Sequence, residues 1–472
     1  MSTECIQERF DFHPLNHREV VARFDGGEIT SDAGALLLRE VERRTGILKQ
    51  LSFCFTDHRN PERIEHSVFE LLAQRVYGLA LGYEDLSDHD RLRHDPLMGL
   101  LAEKSDPWGA DRRCAKDRGR AVAGKSTLNR LELSPAGADA KARYKKIVMD
   151  EEAIDDLLVD LFLQAHKKPP GRIVLDLDAT DDPVHGNQEG RFFHGYYGHY
   201  CYLPLYIFAG EFLLCARLRP SNIDACAGAK EEVERIVGRI RARWPDAKIV
   251  LRADSGFCRD AIMGWCEDNS VDYVFGLARN ARLERAIGAS LHQAKQQFEQ
   301  TGSATRIFRE FFYATRKTWS RSRRVVAKAE HLAKGANPRF VVTSLGQKAM
   351  DGRALYEDLY CARGEMENRI KEQQLSLFSD RTSTAYLRSN QLRLYLSSFA
   401  YCLLQALRRL GLAGTEMAKA QCTTIRLKLL KLGAQIKVTV RKVWLHLSAG
   451  HPSAELFGVV YRNLTTLPAL RC

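Results

Sequence analysis

Among its twelve cysteines the chain has no CxxC pair, and it has neither an internal repeat nor a long low-complexity tract. The thiols, scattered from Cys5 to Cys472, argue against a disulfide framework and read as reduced, mostly buried groups in a cytosol. Long apolar runs are also missing. The longest, Leu394 to Leu407, is closed by Arg393 and Arg408 and falls short of the roughly 20 residues that a membrane-spanning helix needs. The opening residues carry Glu8 and Arg9 where a signal peptide requires an apolar core. The expectation is a cytoplasmic protein with no membrane partner. Acid is scarce at one end only: residues 381–472 hold 14 Lys and Arg against Glu416 and Glu455. That region therefore carries the whole net charge of +12, and residues 1–380 balance.

A chain of 472 residues with 45% hydrophobic content buries a large core and favours two to four domains. Besides the basic tail, with Arg426, Lys428, Lys431, Lys437, Arg441 and Lys442, two further basic islands stand out. One runs from Arg112 to Lys146 and includes Lys125 and Arg130. The other, Arg306 to Arg339, holds Arg316, Lys317, Arg321, Arg323 and Arg324 around Trp319. Basic faces segregated on a neutral body suit a polyanion.

The stretch Arg172 to Pro183, RIVLDLDATDDP, reads as a buried central strand that ends in Asp176, Asp178, Asp181 and Asp182. Lys248 to Phe257, KIVLRADSGF, repeats the design: an apolar run ends in Asp254 before the turn pair Ser255-Gly256. On a helix expected from Gly352 to about Leu377, the residues Tyr360, Arg363, Glu367, Lys371 and Gln374 share one face. Asp178, Asp254 and Glu367 are thus the candidate catalytic and metal-ligating residues. Cutting a phosphodiester needs an activated nucleophile, a stabilised leaving oxygen and relief of charge repulsion. Two divalent ions about 3.5–4 Å apart supply these, held by a few carboxylates. Hard oxygen ligands point to Mg²⁺, with Mn²⁺ as the alternative.

The expected organisation is α/β, with helical regions at both ends. Residues 1–168 read as a mainly helical DNA-binding region. In it Asn60-Pro61 opens a helix with the stripe Ile64, Val68, Leu72, Val76 and Leu79, and Glu84 to Asp95 reads as a solvated, salt-bridged segment. Residues 172–278 give strand, hairpin, helix, strand, helix, strand, the first part of a mixed-sheet core. Residues 279–350 read as a β-rich basic insertion, 351–380 as the core helix bearing Glu367, and 381–472 as a basic helical region. Gly119 to Ser126 matches the phosphate-binding pattern GxxxxGK[ST], but the residues before it are Arg112, Arg113, Lys116, Asp117 and Arg118. No buried strand fits there, so the segment reads as a basic turn without a nucleotide cofactor.

Asp178-Ala-Thr after one apolar strand, Arg252-Ala-Asp254-Ser-Gly-Phe257 after another, and Tyr360-x2-Arg363-x3-Glu367 on a helix resemble the three blocks of DDE transposases of bacterial insertion sequences. Ala123 to Arg130, Gly186 to Glu189 and Ala80 to Asp85 resemble the thirteen-eighty group of these elements. The resemblance covers nearly the whole chain. It implies an RNase H-like catalytic core interrupted by a β-rich insertion between the second Asp and the Glu. It also implies a homodimer that binds the element's terminal inverted repeats as double-stranded DNA, cuts them with Mg²⁺ and joins the 3′-hydroxyls to target DNA. Tyr360, Arg363 and Lys371 would contact DNA, with Lys125, Arg130, Arg321, Arg323, Arg324, Arg426 and Lys428 on its basic faces. Trp319 either stacks on a flipped base or packs the insertion. Where relatives carry Lys seven positions after the Glu, this chain has Gln374, and Lys371 stands one turn earlier on the same face. Asp176 and Asp178 point the same way from a strand; the Asp-x-Thr match favours Asp178. The rival functions are an RNase H-like nuclease without strand transfer and a DNA-binding protein with inert acids.

Overall fold

Strands rich in Val, Ile, Leu and Phe organise the larger of two units in the structure, a computed structural model that describes residues 9–466. This unit spans Asp150–Leu375 and Ser379–Ser398. Its strands are β1 (Ile173–Ala179), β2 (Leu205–Ala209), β3 (Phe212–Arg217), β4 (Ile249–Ala253), β5 (Asp272–Leu277), β6 (Thr305–Tyr313), β7 (Arg323–Leu332), β8 (Gly335–Ala336) and β9 (Arg339–Thr343). They form one sheet in the order β3-β2-β1-β4-β5-β9-β7-β6, with β8 beside β7. β2 runs antiparallel to β1 and β3, whereas β4 is parallel to both β1 and β5. This is the mixed sheet of an α/β core that was expected.

Side chains alternate across a strand, and the two faces are covered by different helices. Leu175, Leu177, Ile249 and Leu251 lie under α1 (Glu151–Ala165), α2 (Ala229–Arg243) and α3 (Asp260–Asp268). Val174, Val250, Val274, Val326 and Val341 point the other way, onto Leu355, Tyr356 and Leu359 of a helical run over 352–376. Asp176, Asp178, Arg252 and Asp254 share the parity of this second set. The period of two therefore aims both strand-end acids at the element that carries Glu367.

The structure adds detail to three expected segments. The unit begins at Asp150, upstream of the Pro169-Pro170 break, because Val159, Phe162 and Leu163 of α1 join the sheet's core. Residues 279–350, the β-rich insertion, join the core through the sheet: β9 bonds to β5, with Leu277 opposite Phe340 and Val274 opposite Thr343, and β7 bonds to β9. The insertion thus extends the central sheet, adding the helices Ala281–Ala286 and Gly288–Thr301 beside it. The C-terminal region is not wholly helical. After the helix Leu387–Leu410, the strands Ala434–Val438 and Val443–Leu447 form a hairpin that pairs with Ile29–Thr30.

The other unit holds residues up to Met149 with Ser376–Phe378 and the chain from Phe399 on. Its helix Val68–Leu81 starts later than expected, since Asn60-Pro61 makes only the 3₁₀ turn Pro61–Arg63. The helix is opened by a capping box in which Ser67 and Glu70 satisfy each other's backbone N–H groups. The stretch Glu84 to Asp95 is not solvated throughout. His89 is wholly buried with Gln74 Nε2 at 2.9 Å, and a Cβ at Gly78 would stand 3.0 Å from its ring. Before Gly119 lies the 3₁₀ turn Ala115–Asp117 and no strand, so the phosphate-loop lookalike lacks its framework.

Candidate active site

β1 and β4 lie in parallel register, Arg252 opposite Asp176 and Ala253 opposite Leu177, so Asp178 and Asp254 follow at the same level. Asp254 is fixed by its own turn: its Oδ1 accepts the backbone N–H of Gly256 at 2.8 Å and caps Ser255–Phe257. Gly276 on β5 makes room for this corner. A Cβ there would stand 2.6 Å from the Tyr360 hydroxyl and 2.9 Å from the Ser255 nitrogen.

Glu367 comes from Gly364–Lys371, an α-helical part of a run in which Leu355–Tyr360 is π-helical and Cys361–Arg363 is a 3₁₀ turn. Arg363 connects the acids. Its guanidinium stands 2.8 Å from Glu367 and 3.7 Å from Asp178. Burial pushes the Asp178 carboxyl up to about 7; the charges of Asp254 and Glu367 add to the rise and Arg363 opposes it. The two aspartates, the glutamate and Arg363 thus act on one another within one constellation, with the Tyr360 hydroxyl beside it.

Among the described residues no group of three His, Cys, Asp or Glu side chains stands ready to hold a metal ion. The donor chemistry nevertheless fits one. Acids from three elements act on the one guanidinium of Arg363, and burial with repulsion from Asp254 and Glu367 leaves Asp178 short of positive charge. Asp178, Asp254 and Glu367 are the residues that could ligate.

Asp176 has a different task. Its carboxylate receives Arg252 Nε at 2.5 Å and Nη2 at 2.7 Å, while Arg252 Nη1 donates to the Leu359 carbonyl at 2.5 Å. This buried bidentate pair ties β1, β4 and the Glu367 run together one step below the acids. An Arg inside an otherwise apolar strand was its sequence signal, because a buried guanidinium demands a carboxylate on a neighbour. Asp182, from the same strand end, is fully buried, and burial holds its carboxyl well above the usual range. Gln374 Nε2 donates to the Asp181 carbonyl at 3.0 Å, whereas Lys371 is exposed on the helix.

The basic residues divide by burial. Arg323 and Arg324 are not on a DNA-facing surface: β7 is covered on both faces, so Arg323 pairs with Asp260 and Glu267, and Arg324 with Glu310. Arg426 is likewise buried, donating to the carbonyls of Leu79, Ala80 and Ser376 and thereby closing the end of Val68–Leu81. Arg321 remains exposed, 3.3 Å from Glu267, and Lys428 is exposed. Lys125 is exposed with Asp90 at 3.5 Å, and Arg130 lies over the Tyr144 ring. Trp319 is half-buried, edge-on to Tyr313 at 5.7 Å and beneath Arg323 at 5.5 Å, which favours packing. No helix among the described residues is long and apolar enough to cross a membrane.

No curated protein matches this sequence. Among solved structures the chain is similar to piggyBac transposase, seen as a synaptic complex with hairpin DNA, at 10% identity and a TM-score of 0.40. That match covers 85% of this chain and 80% of the other. A family model described as Transposase DDE domain group 1 matches residues 12–469, nearly the full length, and the chain therefore belongs to the DDE transposases.

Proposed function

We propose that this chain is the transposase of a bacterial insertion sequence, one resembling the thirteen-eighty group. In this reading it binds the element's terminal inverted repeats, cleaves the ends and joins the freed 3′-hydroxyls to target DNA. The observation that carries the reading is the convergence of Asp178, Asp254 and Glu367 around Arg363 on one face of an RNase H-like sheet. Divalent ions of the Mg²⁺ type, when bound by the three carboxylates, would relieve charge repulsion at the phosphate and stabilise the attacking and leaving oxygens. Arg363 is the residue poised to trade its carboxylate contacts for a phosphate, a planar fork suited to either. Tyr360 backs the Asp254 corner, and the exposed Lys371 extends the cationic edge. Exposed cations such as Lys125, Arg130, Arg321 and Lys428 hold DNA through its backbone, without sequence selection. Because each cut end must be kept while its partner is cut, the working form is a homodimer on two ends, in the cytoplasm or nucleoid.

The test is cleavage of a labelled inverted-repeat duplex with Mg²⁺, beside a gel shift without metal. Asp254→Asn and Glu367→Gln keep size while removing an anionic oxygen, so cutting should vanish and binding should persist. Glu365→Gln, an exposed neighbour, should cut normally. Near wild-type cutting by Asp254→Asn would sink the reading. Cutting without any joined product would instead favour the nuclease.

A further inference from the structure

From Arg191 to Tyr200 the sequence runs RFFHGYYGHY, rich in rings and free of acid. The strands Phe192–His194 and His199–Tyr202 pair about a Gly195–Gly198 turn, with Phe193 opposite Tyr200 and His194 opposite His199. Large rings are normally withdrawn from water, yet here Tyr196 is 86% exposed, Phe193 57% and Tyr200 47%. The rings brace one another: Phe193 meets Tyr200 edge-on at 5.6 Å, Tyr196 meets Tyr197 at 5.0 Å, and the Arg191 guanidinium lies 4.5 Å over Tyr200.

The hairpin is anchored rather than loose. Tyr202 pairs with Asp182 in the strand that follows β1, and its hydroxyl donates to the Glu189 carbonyl at 2.7 Å. His199 Nε2 lies 2.8 Å from Asp181 Oδ2, and Ser221 Oγ donates to the Phe192 carbonyl at 2.9 Å. These contacts fix the hairpin a few residues beyond Asp178. The Tyr197 phenol registers that proximity, being pushed up to about 12 by burial and then by the charges of Asp181 and Asp178.

We propose that this hairpin is a stacking platform for unpaired bases of a DNA strand led past Asp178, with Phe193, Tyr196 and Tyr200 supplying the ring faces. The inference rests on the reading that the three acids cut DNA. A protein partner is the competing occupant, and the oligonucleotide and sedimentation arms of the test separate it from a DNA strand. Rings with an arginine and no carboxylate suit a base that carries its phosphate with it. Paired bases hide their faces, so the platform distinguishes single strands from duplex. The position differs from that of Trp319, which is half-buried beside another part of the sheet.

The full chain is titrated in EDTA with fluorescent oligothymidylate of about 16 nucleotides and, separately, with a blunt duplex of the same length. Phe193→Ser, Tyr196→Ser and Tyr200→Ser should each weaken single-strand binding about tenfold, while duplex affinity and melting temperature stay unchanged. Tyr196→Phe and Tyr200→Phe should bind like the wild type. An oligonucleotide containing 2-aminopurine should be quenched by the wild type and not by the combined Ser variant. The proposal is overturned if single-strand binding survives the combined variant, if duplex binding falls equally, or if the variant changes only the oligomeric state in sedimentation. Because no metal is present, cleavage that fails while single-strand binding behaves as stated counts against the transposase reading alone. Intact cleavage with unchanged single-strand binding counts against the platform alone.

Discussion

Replacing Asp178 by Asn should do two opposite things: abolish cutting and stabilise the metal-free protein. Burial and the neighbouring acids raise this carboxyl from its ordinary 3.8 to about 7. A folded state that holds a proton more tightly than the unfolded chain has its full stability at pH below the unfolded value, and loses it as pH rises through the folded value. The wild type therefore gives up stability between about pH 4 and pH 7. At about 1.4 kcal/mol per pH unit the full loss is about 4 kcal/mol. The carboxyl is 18% exposed, and solvent on that side reduces the figure to about 2–3 kcal/mol. Asn does not titrate, so at pH 8 in EDTA the variant should melt roughly 5 °C higher, and at pH 4 the two proteins should melt alike. Mg²⁺ at pH 8 should raise the melting temperature of the wild type and leave the variant where it was. Calorimetry or circular dichroism across this pH range reads all of it. Equal melting temperatures at pH 8, or a gain of the same size at pH 4, would refute the argument.

Arg252→Met leaves Asp176 charged, buried and unpaired, and should cost about 3–5 kcal/mol in urea unfolding; Asp176→Leu with Arg252→Met should recover most of that. Gly276→Ala drives a methyl against Tyr360 and the Asp254 turn, so it should reduce cutting at least tenfold with duplex binding unchanged, as read by the cleavage and gel-shift pair. Neutralising the exposed Lys428, Lys437, Arg441 and Lys442 should flatten the log–log salt dependence of duplex binding by about 0.9 for each DNA phosphate that no longer meets a cation. Neutralising the buried Arg426 should instead lower the melting temperature.

Elements set by periodicity were legible in the sequence. The apolar runs ending in Asp178 and Asp254 gave β1 and β4, and helical spacing put Arg363 and Glu367 on one face, where an ion pair now joins them. What stayed hidden depended on partners distant in sequence. Arg323 and Arg324 looked like neighbours of Arg321 in a basic ribbon, but consecutive residues of a strand covered on both faces are both buried, and their acids come from Asp260, Glu267 and Glu310. Arg426 belonged by spacing to a phosphate-facing row, and only the end of a helix some 350 residues earlier explains it. That the insertion of residues 279–350 extends the central sheet was also hidden, because a short β segment does not disclose which edge it joins. The exposed rings of 192–200 were visible as letters, but their exposure follows from the anchoring of His199 and Tyr202.

The pairing of β9 with β5 has a consequence for how the protein is made. β5 leaves the ribosome with one edge open, and that edge is closed only after the helices, β6 and β7 have been synthesised. Glu367 follows later still, on the order of ten seconds or more after Asp178 at ordinary translation rates. A chain released early thus carries both aspartates on a sheet with an unpaired strand, a template for aggregation and a target for proteases. Translation itself thus delays assembly of the proposed three-acid site until the chain is nearly complete.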